Sequence, residues 1–146
     1  MLGVILFVLL LLIYGIILSD EIFKKMFEDT KNEGVKNFIN ILEKYKENNL
    51  MRLIFSLVAL ISGLWNFFAP DFGANYSPTI IGALLPSVVM FCNGIIIYPE
   101  ILGLFNFDDE TKNKIKIFME KYSPVAGITS IILGFLHIAF FKTILF

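Results

Sequence analysis

Four apolar stretches alternate with two charged ones along this chain. Residues 2–18, 50–69, 79–98 and 124–146 are nearly free of charge, whereas 20–49 and 106–123 are dense in lysines and carboxylates. Apolar runs of about 17–25 residues match a hydrocarbon core of ~30 Å, so each run predicts a transmembrane helix. The first run is at the short end of that range. A secretory leader is the alternative for it, but no lysine or arginine precedes it and Tyr14 to Ser19 makes a poor cleavage site.

The charged segments have helical periodicity of their own. Ile22, Phe23, Met26 and Phe27, then Val35, Phe38, Ile39, Leu42 and Tyr45, recur at steps of three and four, with Gly34 as a break between two pieces. In the second segment Asp108 or Asp109 offers an N-cap, and Ile115, Phe118, Met119 and Tyr122 share a face. Amphipathic helices are therefore predicted after spans one and three, lying on the headgroups and the bundle or docking a partner. The cluster Pro70-Asp71-Phe72-Gly73 ends span two, and the short link to Pro78 makes spans two and three antiparallel neighbours. Trp65, Phe67 and Phe68 at that end fit an interfacial aromatic belt. Pro86 predicts a bend inside span three, and Pro124 suits the first turn of span four.

The halves match each other in polar residues as well as in apolar ones. Gly3, Tyr14-Gly15 and Glu21-Ile22 correspond to Gly82, Asn93-Gly94 and Glu100-Ile101. Thr30-Lys31-Asn32 returns as Thr111-Lys112-Asn113, Glu43-Lys44-Tyr45 as Glu120-Lys121-Tyr122, and Gly63 as Gly134. The offset passes from 79 through 81 and 77 to 71, so small insertions separate the copies. This order predicts a tandem repeat within one membrane domain, repeat one over 1–70 and repeat two over 79–146. Each unit crosses twice, so the repeats are parallel and their pseudo-two-fold axis runs along the membrane normal. The fold class is an all-α integral membrane protein with four transmembrane helices.

Spans two and four also carry matching stripes of small and polar residues, Ser56, Ala59, Gly63 and Asn66 against Gly127, Ser130, Gly134 and His137, each pair 71 apart. Small residues let helices approach closely in lipid. The stripes predict that these two spans form the middle of the bundle, with Asn66 facing His137.

Composition agrees with a membrane protein: 57% of residues are hydrophobic and the mean hydropathy is +0.77. The net charge of -1 conceals an asymmetry that matters more than the sum. Eleven of the twelve lysines and arginines lie in 20–52 and 112–121, and only Lys142 stands apart. The positive-inside rule therefore puts both charged segments in the cytoplasm and both chain ends outside the cell membrane. No basic tail for nucleic acid is present.

Candidate chemistry is sparse. His137, the sole histidine, stands inside a span, where an ionisable group suggests function; the alternative is a neutral ring fixing helix register through Asn66 or a carbonyl. Tyr14 and Asn93, equivalent in the repeat, approach the charged ends of their spans about one turn before Glu21 and Glu100. Together these four suggest a vestibule that attracts cations, or else ordinary interfacial polarity. Cys92, the single cysteine, reads as a packing residue. One histidine and one cysteine offer no metal or haem ligation within a monomer, and no cofactor is expected. No catalytic motif is found, so an enzyme is not expected. Two functions follow: a transport-type protein moving an ion or small solute along Asn66, His137, Asn93, Tyr14, Glu21 and Glu100, as a homo-oligomer, or a non-catalytic accessory subunit of a larger membrane complex.

Overall fold

The computed structural model describes residues 2–69 and 83–143; the turn cluster at 70–73, the link to 78, the start of span three and 144–146 lie outside them. The described chain is all-helical. Helices α1 (Leu2–Leu18), α2 (Asp20–Met26), α3 (Glu33–Glu47) and α4 (Asn49–Phe68) form the first half. Helix α5 (Leu84–Ile97), a 3-10 turn at Pro99–Leu104 and α6 (Asp109–Phe140) form the second. Among the described residues two helices, α4 and α6, are long and apolar enough to cross a membrane, and three are if α1 and α2, bent by 64°, count as one broken span. Helix α5 is apolar but has only 14 residues, about 21 Å at 1.5 Å per residue.

Local chemistry explains most boundaries. Helix α3 starts where the Asn32 side chain accepts from the backbone N–H groups of Gly34 (2.9 Å) and Val35 (3.4 Å). Gly34 therefore lies inside the first turn of α3, and the break falls before it. Asn48 caps α4 by accepting from Met51 N–H at 3.1 Å. Asp108, rather than Asp109, caps α6, accepting from Thr111 N–H at 2.8 Å and from its hydroxyl at 2.7 Å.

The two prolines exchange the roles expected of them. Pro86 stands in the first turn of α5, just after Ala83, whose left-handed backbone (φ 53°) caps that helix. In that turn a missing N–H costs nothing. Pro124 instead lies within α6, which runs unbroken for 32 residues through both the second charged segment and span four. Proline's own φ suits a helix, and the long stretches of helix on both sides, Asp109 to Ser123 and Val125 to Phe140, outweigh one lost hydrogen bond. At 1.5 Å per residue α6 is about 48 Å long, so it outruns a ~30 Å core.

Helix pairing departs from the expected centre. Helix α4 packs along α5, α1 packs along α6, α5 and α6 share a further face, and α1 meets α5 across the middle. Helices α4 and α6 have no packed face in common. The stripes thus face α5 and α1, not each other. Gly63 sits against the α5 backbone, where an added Cβ would stand 2.7 Å from Phe91 N and 2.9 Å from Ser87 O. Gly127 sits against α1, 2.7 Å from both Gly15 O and Ser19 N by the same measure. A small-residue stripe permits close approach to any helix that offers an equally bare surface, and Gly15 and Gly94 provide it. The core is filled from α1 and α5, by Phe7, Leu11, Tyr14, Ile17, Met90 and Ile97, joined by Ala59 and by Leu42 of α3.

Candidate functional site

At the charged end of the bundle a cavity of about 270 Å³ opens between the ends of α1 and α5. Its floor is apolar, from Ile17, Leu18, Ile96 and Ile97, and its wall is charged, with Asp20, Glu21, Lys46, Arg52, Glu100, Lys116 and Glu120. The bend at Ser19 turns Asp20 inward, and its carboxylate is 1% exposed. Lys46 reaches it at 2.6 Å and Lys24 at 3.5 Å. Lys24 also pairs with Glu43 at 3.1 Å, so α3 is clamped over the end of α1. The hydrogen bond to Glu43 is the first cause that holds the Lys24 ammonium above its ordinary pKa. An isolated carboxylate could not be buried there without several kcal/mol of desolvation cost.

On the opposite wall Arg52, at the start of α4, binds the end of α5. Its Nε donates to Ile97 O at 3.0 Å, its terminal nitrogen pairs with Glu100 at 3.1 Å, and its guanidinium lies over Tyr98. Ser123 of α6 likewise donates to Leu18 O, at the end of α1, at 3.2 Å. Glu21 and Glu100 both line this cavity. Glu100, however, is already neutralised by Arg52.

Tyr14 and Asn93 lie deeper, outside the cavity wall. The Tyr14 hydroxyl donates to Phe55 O of α4 at 2.6 Å, and Asn93 Nδ2 donates to Ser130 Oγ of α6 at 2.7 Å. Asn93 instead lines a lateral groove of about 360 Å³ between α5 and α6, beside Cys92, which is exposed there and not packed. Asn66 and His137 are both fully buried but turn to different helices. Asn66 donates to Ser87 of α5 at 3.0 Å. The His137 ring meets Phe7 of α1 edge-on, centroids 5.8 Å apart. Among the described residues no hydrogen bond joins the two.

Sequence reasoning missed Asp20, Lys46 and Arg52 as wall residues. Their signal was faint: an acid directly after an apolar run and an arginine at the start of another. Residues 4–137 match the model of a protein family. The chain belongs to that family. No curated protein and no solved structure gives a significant match.

Proposed function

We propose that this is a small transport-type membrane protein whose cytoplasmic cavity binds an ion or small polar solute between two repeated halves. The halves are α1 with α4 and α5 with α6. Three matched contacts support the repeat. Gly15 packs on Gly127 and Ile131, and Gly94 packs on Ser56 and Leu60, each participant offset by 79 or 71 from its counterpart. Arg52 binds Ile97 O, and Ser123 binds Leu18 O, at the same two offsets. The cavity wall pairs Ile17 with Ile96, Leu18 with Ile97 and Glu21 with Glu100. A cavity lined this way lies on the pseudo-two-fold axis, where repeat transporters hold their cargo.

The observation that carries the reading is a charged cavity between the repeats, ending on a packed apolar floor. Above it Leu11, Phe7 and Met90 are fully buried, so passage requires helix movement and not a standing pore. The lysine asymmetry keeps the cavity cytoplasmic and the chain ends outside. Native mass spectrometry of the gently extracted protein tests this: a small molecule retained by wild type and lost from Glu21→Gln/Glu100→Gln supports it. A bare chain that also moves nothing across liposomes contradicts it.

An accessory role is the second reading, favoured by the apolar side chains left exposed at the charged end, among them Ile41, Leu104, Phe105, Ile117 and Phe118. Leu42 and Tyr45 drop out of that docking face, because both pack on the bundle itself. Phe38→Ser/Ile41→Ser with Ile117→Ser/Phe118→Ser should then abolish co-purification of larger chains. Unchanged co-purification would remove this reading.

A further inference from the structure

One part of the cavity wall is built differently from the rest. Lys116, Glu120 and Ser123 stand on α6, which runs without a break into the bundle. Tyr45 and Lys46 stand on α3, a separate helix joined to its neighbours by short connections. Of the 15 residues of α3 Leu42 alone is buried, and the helix packs on α2 and α4. Few buried apolar contacts mark the elements of a fold that open most readily.

Both connections suit a pivot. Residues 27–32, between α2 and α3, are not helical. At the other end Asn48 alone separates α3 from α4. Its side chain caps α4 through Met51 N–H, whereas its own N–H bonds to Tyr45 O of α3 at 3.2 Å. Rotation about the φ bond of Asn48 therefore swings α3 with both caps kept. Charge holds the helix down, through Lys46 on Asp20 at 2.6 Å and Glu43 on Lys24 at 3.1 Å, both within about a turn of Leu42. The seat leaves polar groups poorly served. Apart from its lysine pairs the Asp20 carboxylate accepts no hydrogen bond among the described residues, and the buried Tyr45 hydroxyl has no partner among them either. Lifting α3 lets water reach both groups, which offsets part of the attraction lost.

We propose that α3 is a hinged lid on the cavity, pivoting at Asn48 and latched shut by Lys46 on Asp20. When it lifts, Tyr45 and Lys46 leave the wall, and Asp20 at the bend after α1 meets water. The apolar floor of Ile17, Leu18, Ile96 and Ile97 belongs to α1 and α5 and stays in place. The lid therefore governs entry to the cavity and not passage across the bundle. The inference rests on the reading of the cavity as a binding site for its purpose, but its test follows α3 directly and needs no cargo.

The test is the rate at which Leu42→Cys, in a Cys92→Ser background, reacts with a maleimide in the full chain in nanodiscs. Leu42 is 6% exposed with the lid shut, so the rate follows the open population. Lys46→Gln should raise it about tenfold, the effect of losing one charge-assisted contact. Lys46→Arg, which keeps a cation on the carboxylate, should return it close to the starting rate. Leu11→Cys, in the packed core, should stay unreactive throughout. An unchanged rate in Lys46→Gln overturns the proposal, as does a Lys46→Arg rate equal to that of Lys46→Gln. So does a Leu42→Cys rate equal, without any further substitution, to that of the exposed Ile41→Cys, which would show α3 unseated. A rise shared by Leu11→Cys overturns it too, because the bundle and not the lid would be opening. Failure of the binding reading is seen instead in native mass spectrometry, as a bare chain whose lid still responds to Lys46→Gln.

Discussion

Asp20 is the one carboxylate that the described bundle buries, and its two lysines are not equal. Lys46 is closer and belongs to α3, while Lys24 shares itself with Glu43. Removing Lys46 leaves a buried charge half-compensated; removing the charge of Asp20 leaves lysines that water can solvate. Lys46→Gln should therefore cost about 1–2 kcal/mol, a buried-pair figure reduced for the open cavity, and more than Asp20→Asn, read as thermal midpoints in detergent. Equal losses would mean that the pair contributes only attraction and no burial penalty. The glycines divide in the same residue-by-residue way. Gly63→Ala would press a methyl against α5 backbone and should cost about 1–3 kcal/mol. Gly134→Ala meets only leucine side chains at 3.4–3.5 Å and should be neutral. A comparable loss at both would contradict the pairing of α4 with α5.

At the scale of elements, helix identities were legible and helix partners were not. The first run in the sequence coincides with α1 and the second with α4 to within a residue, because charge density and capping side chains mark those ends directly. The small-residue stripes were visible too, yet they say only that something comes close. Which helix approaches depends on Gly15 and Gly94, lone glycines in apolar runs whose significance needs the partner to be seen. Pro124 misled for a related reason, since a proline at the edge of an apolar run reads as a start unless the preceding turns are known to be helical. Those turns hold a pH test. Hydrogen bonds from Thr111 are the first cause that keeps the Asp108 carboxyl below its ordinary value of 3.8, so its capping contribution is complete above that value and fades as pH falls below it. Amide exchange at residues 111–113 should be flat from pH 8 to about 5, after correction for intrinsic rates, and rise on further acidification. Asp108→Ala should show the raised exchange at neutral pH. Protection unchanged in that variant would show the cap to be inert.

At the scale of the whole molecule, the candidate site was half legible. Glu21 and Glu100 could be placed together because matching residues around them stand 79 positions apart in the sequence. Asn66 and His137 could not, because equivalence by symmetry does not imply contact. Asp20 escaped notice because its burial requires α3 to fold back, a long-range event with no local signal. The central claim is a water-filled cytoplasmic cavity closed above by a packed axis. It is tested most directly by labelling single cysteines at positions 21 and 11, each in a Cys92→Ser background, with a membrane-impermeant maleimide. The account predicts that Glu21→Cys reacts in inverted vesicles and not in right-side-out ones, and that Leu11→Cys reacts in neither. Reaction of Glu21→Cys only from outside, or ready reaction of Leu11→Cys from either side, would contradict it.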